Sequence, residues 1–385
     1  MFPKLRFKKF DGDWTAVTLE SLAEVERGKF SVRPRNDPRY FGGEMPFIQT
    51  GDVTGSDVYL KGYTQTLNDD GIRVSKVFPA DTILITIAAN IGDTTITQYP
   101  VACPDSVVAI QPKQDKVNTI FLKNVIDLQK DNLDSQATQN AQKNINLQVL
   151  KPLKLIVPSK EEQNKIASFL SAVDEKISQL TQKLELLSQY KQGMMQKLFS
   201  QQVRFKADDG SEFGEWGNSY IGDVCKITTG NKDTQNKVDD GEYPFFVRSQ
   251  TVERINSYSM DCEAVLTSGD GVGVGKNYHY IDGKFDFHQR VYCLFDFSEN
   301  ILGKYLYIYF SSYFYDRVKR LSAKNSVDSV RMDMISKMEI QLPCLEEQTK
   351  IANFLSSIDQ KIEVVGQQIE QAKQWKKGLL QNMFI

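Results

Sequence analysis

The chain has 385 residues, of which 41% are apolar, and a formal net charge of −2. This length accommodates two domains that each bury a core. The near-neutral charge is not typical of a general nucleic-acid-binding protein, which usually carries an excess of basic residues. The sequence has no apolar run of about 18 residues that would predict a membrane-spanning helix and no signal peptide at its N-terminus, so we expect a cytoplasmic protein.

Residues 1–157 form the first predicted globular segment, which begins with an arm that contains Arg6-Phe7-Lys8. Residues 77–112 alternate isoleucine, threonine and valine in short runs that glycine and proline interrupt, a pattern typical of successive β-strands. A helical stretch over 118–131, a polar loop and a short strand that ends at Pro158 complete the segment.

Residues 158–199 and 343–384 are two copies of one sequence, with an offset of 185 and 20 identities in 42 positions. Each copy begins with a proline and a pair of glutamates, which suit the positive end of a helix dipole. Apolar residues then follow in alternating steps of four and three, the pattern of a coiled-coil seam. The seam residues are Ile166, Leu170, Val173, Ile177, Leu180, Leu184 and Leu187 in the first copy and Ile351, Leu355, Ile358, Ile362, Val365 and Ile369 in the second.

A helix of about 40 residues is roughly 60 Å long and needs a partner of matching length to cover its stripe. Because the other copy is the nearest partner, we expect the two helices to pair antiparallel within one chain. The alternative is two unrelated amphipathic helices, each lying on its own domain.

Residues 200–342 form a second globular segment that is a distant copy of the first. Arg204-Phe205-Lys206, Trp216 and Gly230 answer Arg6-Phe7-Lys8, Trp14 and Gly28. A strand-rich region over 262–297, a helical stretch over 301–320, a polar loop and a strand before Pro343 follow in the same order. The sequence therefore predicts an α+β protein with a pseudo-twofold internal repeat. It has two β-rich α/β domains, 1–157 and 200–342, separated by the long helices of 158–199 and 343–385.

The chain lacks a recognisable catalytic, cofactor or metal motif. Residues 269–276, GDGVGVGK, fail the phosphate-binding loop pattern at two positions, so we favour a glycine turn in a hairpin. Residues 37–40, DPRY, lack the second proline of an adenine methyltransferase motif. The five cysteines are scattered and the two histidines lie close together, which favours buried free thiols and no zinc site.

Polar and basic residues in loops are the remaining candidates. Lys29, Arg33, Arg35 and Arg39 cluster beside Tyr40, and Arg317, Lys319, Arg320 and Lys324 form a second group. Arginine, lysine, asparagine and glutamine are the side chains that bind base edges and phosphates. A cluster of charges is also the ordinary composition of a solvated surface.

The repeated helix, with its EEQ-x-KIA-x-FLS core, resembles the conserved regions of specificity (S) subunits of type I restriction-modification enzymes. Residues 46–53, 86–96 and 273–292 resemble segments of their target recognition domains. The resemblance implies that each globular segment is a target recognition domain that reads one half of a split DNA sequence. It also implies that the helices set the spacing and dock two methyltransferase (M) subunits.

The resemblance further implies that the chain is not catalytic. S-adenosylmethionine would bind the M subunits, and ATP with magnesium would bind two restriction (R) subunits where the system has them. Since the recognition loops of this family vary, we chose candidate contacts to double-stranded DNA by their chemistry. They are Lys29, Arg33, Arg35, Arg39, Tyr40, Gln49, Thr50, Asn90, Gln139, Asn140 and Lys143 in the first segment. In the second they are Lys232, Arg248, Ser249, Gln250, Lys276, His288, Gln289, Arg290, Lys324, Asn325 and Ser326.

Two other classes of function remain open. One is a stand-alone DNA-binding or scaffold protein that dimerises through its coiled coil. The other is a single-chain methyltransferase or nuclease whose motifs are disguised.

Overall fold

A computed structural model of the chain describes residues 3–88, 90–137, 144–271, 273–321 and 329–384. The chain divides into two compact units. Unit 1 comprises Met1–Lys183 and Val365–Ile385, and unit 2 comprises Leu184–Val364. Each unit therefore contains one β-rich region together with part of both long helices.

Unit 1 is built from short strands and short helices, followed by the start of a long helix. The strands are β1 Thr15–Thr18, β2 Ala23–Arg27, β3 Phe41–Phe47, β4 Gln65–Leu67, β5 Val77–Phe78, β6 Ile83–Thr86, β7 Thr94–Ile96, β8 Val101–Ala102, β9 Val107–Pro112 and β10 Lys154–Val157. The helices are α1 Leu19–Leu22, α2 Thr50–Thr54, α3 Asp69–Arg73, α4 Thr119–Asp127, α5 Lys130–Ala137 and α6 Leu147–Leu150, with a 3-10 turn over Pro38–Tyr40. The long helix α7 spans Lys160–Phe199 and continues into unit 2.

Unit 2 repeats this order with fewer strands, two of which are the longest among the described residues. The strands are β11 Gly217–Tyr220, β12 Lys226–Thr229, β13 Tyr243–Phe246, β14 Glu253–Ile255, β15 Met260–Ser268, β16 Tyr278–Phe287, β17 Val291–Phe295 and β18 Glu339–Leu342. The helices are α8 Ile221–Val224, α9 Gly303–Leu321, α10 Met332–Ser336 and the long α11 Leu345–Met383, with a 3-10 turn over Thr234–Asn236.

The two units differ in how their main sheet is divided. Unit 2 has one six-stranded sheet in the order β12-β17-β15-β16-β13-β14. Unit 1 has two four-stranded sheets, β2-β9-β6-β7 and β4-β3-β8-β5. The hairpin register of β6 with β7 continues in β5 with β8, but Pro79, Pro100 and the positive φ of 61° at Asp81 interrupt both arms. Proline cannot donate to the ladder, so the single β15–β16 hairpin of unit 2 becomes two shorter pairs in unit 1.

The glycine-rich residues 269–276 lie in the turn that joins β15 to β16, where Thr267 faces Tyr278 in an antiparallel pair. Gly271 and Gly275 have φ of 85° and 69°, which glycine adopts at little cost. The prediction of a hairpin turn is confirmed, and the strand-to-helix setting of a phosphate-binding loop is not what the structure shows here.

The long helices contact each other within each unit. In unit 1, Asp174 pairs with Lys376, and the rings of Phe169 and Trp375 are 5.9 Å apart. In unit 2, Lys191 pairs with Asp359, and the rings of Tyr190 and Phe354 are 6.4 Å apart. These pairs are related by the offset of 185. The first part of each helix contacts the last part of the other, so the predicted antiparallel pairing and the internal repeat are confirmed.

The predicted seam lies on the covered side of both helices. Nine of its residues are buried: Ile166, Leu170, Val173, Leu180, Ile351, Leu355, Ile358, Val365 and Ile369. The other four, Ile177, Leu184, Leu187 and Ile362, are half-buried. No described helix is both long and apolar enough to span a membrane.

The EEQ sequence anchors each long helix to its own unit. Glu162 is 1% exposed and accepts hydrogen bonds from Nε and Nη2 of Arg6, both at 2.7 Å. Glu347 is fully buried and accepts from Arg204 and from Trp216 Nε1. The recurrence of Arg6 and Arg204 in the sequence therefore reflects one contact made twice.

The five cysteines are free thiols. Cys103, Cys225 and Cys293 are buried, as predicted, whereas Cys262 is half-buried and Cys344 is exposed. The expectation of buried thiols is therefore wrong for Cys344, which lies at the beginning of α11 where the chain still faces solvent.

Candidate nucleic-acid interface

The basic cluster of unit 1 lies on the loop between β2 and β3, where Lys29, Arg33, Arg35 and Arg39 are exposed. Arg35 Nη2 lies 2.8 Å from Asp105 Oδ2 on the turn before β9. Arg39 Nη2 lies 2.6 Å from Asp37 Oδ2, and this hydrogen bond raises the pKa of Arg39 and lowers the pKa of the carboxyl. Two of the four basic side chains, Arg35 and Arg39, are therefore paired with carboxylates of their own unit.

The other candidates of unit 1 are dispersed. The Gln49 amide donates to Asp52 Oδ2 at the start of α2, and its side chain donates to Gln65 Oε1 at 3.0 Å. Thr50 is half-buried, Tyr40 packs against Arg39, and Asn90 is exposed. Gln139, Asn140 and Lys143 lie outside the described residues.

Unit 2 brings several candidates together, because three loops meet at one end of its sheet. The loop after β12 carries Lys232, the loop after β13 carries Arg248, and the turn between β16 and β17 carries Gln289 and Arg290. The Gln289 amide donates to Lys232 O at 2.8 Å, and the Gln289 side chain donates to Asp233 Oδ2 at 3.2 Å.

Asp270 joins two of these loops through its carboxylate. Arg248 Nη1 lies 3.2 Å from Asp270 Oδ1, and Arg290 Nε lies 3.7 Å from Asp270 Oδ2. The Asp270 side chain is 29% exposed, against 44% for Arg248 and 66% for Arg290. Two guanidinium groups are thus gathered around one partly covered carboxylate.

Buried polar side chains fix the backbone beneath these arginines. Asn277 Nδ2 donates to Arg248 O at 3.1 Å, and His279 Nε2 lies 3.1 Å from Ser249 O. The Arg290 amide donates to His288 Nδ1 at 2.9 Å. Burial lowers the pKa of both histidines, so the neutral ring is the favoured form in each.

His288, a sequence-predicted contact, is only 2% exposed. Its Nδ1 is occupied by the backbone of the loop that carries Arg290. The structure therefore places His288 under the cluster and not on its surface.

A buried carboxylate lies beneath Lys232 in the same way. Asp286 is fully buried and accepts hydrogen bonds from the Ser257 and Ser259 hydroxyls, both at 2.8 Å, and from the Phe287 amide. Lys232 Nζ lies 3.9 Å from Asp286 Oδ2, so this lysine is directed by a charge inside the fold.

The remaining candidates of unit 2 lie around this group. Ser249 is half-buried, Gln250 is exposed, and Lys276 lies over the Tyr315 ring at 5.1 Å. Lys324, Asn325 and Ser326 lie outside the described residues. Arg317, assigned to a basic cluster from the sequence, donates to the carbonyls of Met334 and Lys337 and braces α9 against α10.

Comparison with known proteins identifies the family of the chain. The sequence profile of the "Type I restriction modification DNA specificity domain" matches residues 11–189 and 214–374. The chain belongs to this family.

Relatives and solved structures extend along the whole chain. The MjaVIII type I restriction enzyme specificity subunit of Methanocaldococcus jannaschii is 26% identical over 97% of this chain and 94% of its own. An S subunit of a type I restriction-modification system from M. genitalium has a TM-score of 0.71 at 16% identity, covering 100% of this chain and 99% of that one. A chain of a type I restriction-modification system, from a study of complex assembly, has a TM-score of 0.56 at 16% identity over 98% and 99%. The two structures share the fold of this family member.

Equivalent turns of the two units carry different charged residues. The Val107 amide donates to Pro104 O in unit 1, as the Val291 amide donates to His288 O in unit 2. In this register Asp105 corresponds to Gln289 and Ser106 corresponds to Arg290. Asp105 pairs with Arg35, whereas Arg290 pairs with Asp270.

Sequence reasoning missed the residues that position these side chains. From the sequence, Asp270 and Asn277 are only the two residues that break the phosphate-binding-loop pattern, and His279 has no assigned role. Their partners, Arg290, Arg248 and Ser249, are about 20 to 30 residues away in the sequence. The one local signal was an acidic residue between two glycines, Gly269 and Gly271.

Proposed function

We propose that this chain is the DNA-binding specificity subunit of a type I restriction-modification complex. Each β-rich domain reads one half of a split target in double-stranded DNA, and the two long helices set the spacing. The observation that carries the proposal is the cluster of exposed arginine and glutamine side chains, with the half-buried Lys232, on converging loops in unit 2 of a chain of this family. Loops on a rigid scaffold are where recognition is usually found.

The domain boundaries 1–157, 158–199, 200–342 and 343–385 serve this proposal as functional divisions. We assign base or phosphate contacts to the exposed members of the candidate set. His288 is better suited to supporting the loop of Arg290 than to touching DNA, because it is buried and its Nδ1 is already bonded.

The long helices also suit the docking of two methyltransferase subunits. Large apolar side chains remain exposed on them: Leu186 at 64%, Tyr190 at 52% and Val364 at 51% in unit 2, and Trp375 at 54% in unit 1. Exposed apolar surface of this kind marks protein interfaces. In this proposal the methyltransferase subunits bind S-adenosylmethionine, the restriction subunits bind ATP and magnesium, and this chain supplies recognition without catalysis.

A coiled coil that joins two separate chains is less well supported. The helices of this chain already cover each other's seam within each unit. A second copy is therefore not needed to bury the seam.

The test is a genome-wide map of methylated adenine in cells with and without this chain, with the methyltransferase genes present in both. We expect methylation at one split sequence to vanish without the chain and to return with the full-length chain. Methylation that is the same in both strains would refute the proposal. Binding of S-adenosylmethionine by the purified chain alone would instead favour a single-chain methyltransferase.

A further inference from the structure

The strongest unassigned feature of the molecule is the carboxylate of Asp270 between two arginines. An arginine on a DNA-binding surface commonly contacts phosphate, where it adds affinity without selectivity. A carboxylate beside it works against that use, because it repels the phosphate backbone. We call the group Arg248–Asp270–Arg290 the arginine pair with its bridging aspartate. Its charges suit a ligand other than phosphate.

The geometry points to a base edge as that ligand. Arginine has only donors, so a two-bond contact to one base requires two neighbouring acceptors. In the major groove guanine offers them as O6 and N7, whereas adenine and thymine each offer one. Arg290 Nε lies 3.7 Å from Asp270 Oδ2 and the arginine side chain is 66% exposed, so its guanidinium group is accessible to a base.

The backbone under the three side chains is held at each position. Asn277, 8% exposed, bonds Arg248 O, and His288 bonds the Arg290 amide. The Gly269 amide donates to Arg290 O at 2.7 Å, and the Val330 amide donates to Gly269 O at 2.7 Å. Asp270 is thus flanked by a backbone ladder that connects both turns. A side chain fixed before binding loses less entropy when it binds.

We propose that Arg290, oriented by Asp270, reads a guanine in the half-site of the second domain, and that Asp270 is the positioning residue that makes the contact selective. This inference rests on the proposed function. To that function it adds the base that is recognised, guanine, the residue that contacts it, Arg290, and the residue that positions this arginine, Asp270.

Unit 1 supplies a control for this inference. Arg35, on the loop after β2, pairs with Asp105 in the turn equivalent to that of Arg290, where Ser106 takes the place of the arginine. The two domains therefore present different groups from equivalent turns. Arg35→Lys should leave discrimination in the half-site of the second domain unchanged.

The experiment is selection from a library of DNA duplexes of random sequence at fixed salt. It uses the full-length chain together with the methyltransferase subunits of its own system. Wild type should enrich a split sequence with a G·C pair in one half. Arg290→Lys keeps the charge and loses the planar fork, so discrimination at that pair should fall about 10-fold to 100-fold. Discrimination at every other pair should stay within about twofold.

Asp270→Asn separates positioning from simple loss of structure. It should weaken discrimination at the same pair while raising affinity for non-cognate duplexes, because one negative charge leaves the surface. A purely structural role would lower thermal stability and leave the base preferences intact. Thermal melting of each variant, with Lys373→Arg on α11 as a matched surface control, checks the fold.

Three results would overturn the inference. The second half-site could lack a G·C pair, Arg290→Lys could keep every base preference, or it could weaken all duplexes equally, which would assign Arg290 to phosphate. If wild type enriches no split sequence, the proposed function itself fails. That failure is distinct, since it precedes any comparison of variants.

Discussion

Gly28 and Gly230 occupy equivalent positions in the two units, where the chain leaves no room for a side chain. A Cβ at Gly28 would lie 2.3 Å from Pro104 O, and one at Gly230 would lie 2.0 Å from Phe287 O. Both glycines let the loop after the first sheet strand pass against the turn that carries Asp105 or Arg290. Glycine therefore occurs at this position in both copies of the repeat because two backbone segments approach closely there.

Gly230→Ala should destabilise the fold, because the added methyl group meets backbone and not a flexible side chain. We expect the free energy of unfolding to fall by about 1–3 kcal/mol, the range for overpacking. Urea unfolding measures it. Gly378→Ala is the matched control, since a Cβ there meets nothing within 4 Å and the residue lies within α11. Alanine should stabilise that helix by about 0.5–1 kcal/mol. Equal effects at both positions would contradict the close-approach argument.

His279 gives the fold a dependence on pH. Its pKa is lowered by burial, so the unfolded chain binds a proton that the folded chain refuses. Stability from the neutral ring is present above the unfolded pKa of about 6.5 and is lost as pH falls below it. We expect the free energy of unfolding to decrease from pH 7 to pH 5.

His279→Gln tests this assignment, because its amide can still donate to Ser249 O but does not titrate in that range. The slope of stability against pH should become shallower in the variant. His288, whose pKa is also lowered by burial, should account for part of the remaining slope. An unchanged slope would show that His279 does not contribute.

The sequence predicts residues whose spacing repeats along a helix. It does not predict residues whose side chains bond to backbone groups far away in the sequence. The seam of α7 and α11 was predictable because heptad spacing puts Ile166 and Leu170 on one face, and both are buried. The role of Gln163 was not, because its partners are the Asn118 amide and the carbonyls of Lys116 and Pro158. Every residue but proline has the same backbone donor and acceptor, so the sequence does not indicate which of them a side chain will bond. His288 was chosen for its donor chemistry, and only the packing shows that it is covered.

At the scale of the elements, the start of each long helix is attached to the rest of its unit by the same set of hydrogen bonds, which we call the joint. Gln348 is fully buried, donates to Asn300 O at 2.7 Å and Pro343 O at 2.8 Å, and accepts from the Leu302 amide. Gln163 makes the equivalent set of contacts in unit 1. One amide thus fixes the helix to the strand before it and to the helical region beside it.

Gln348→Glu should damage this joint severely while changing few atoms. The carboxylate loses both donors and faces two carbonyl oxygens, so the Leu302 amide alone, among the described contacts, still donates to a buried charge. We expect a loss of about 3–5 kcal/mol in the free energy of unfolding. Gln371→Glu, exposed on the same helix, should change it by less than about 0.5 kcal/mol. A small effect at Gln348 would mean that the joint relaxes or admits water.

The seam itself is tested by Leu180→Asp in α7, where Leu180 is 7% exposed. A carboxylate at this position has no partner in the seam, so we expect destabilisation by several kcal/mol, on the order of an unpaired buried charge. Leu186→Asp on the exposed face of α7 is the control and should leave chain stability nearly unchanged. Comparable losses at both sites would mean that the helix face was assigned wrongly.

At the scale of the whole molecule, the two units are self-contained in the contacts that hold their loops. Arg35 pairs with Asp105 inside unit 1, and Arg248 and Arg290 pair with Asp270 inside unit 2. The long helices are anchored chiefly through backbone groups and through the arms. In the proposed function, recognition and assembly use different residues, so that one can be changed without the other.

Exchange of residues 15–157 for the equivalent segment of a relative should change one half of the DNA target and leave the other half intact. The exchanged segment includes Lys116 and Asn118, but Gln163 binds only their backbone, so any segment with the same local fold can replace those contacts. The arm keeps Arg6 against Glu162. A methylated-adenine map of cells that carry the hybrid measures the outcome. If both half-sites change together, the domains read DNA jointly and the modular arrangement is wrong. If methylation is lost while the hybrid remains folded, the exchanged segment also contributes to partner docking.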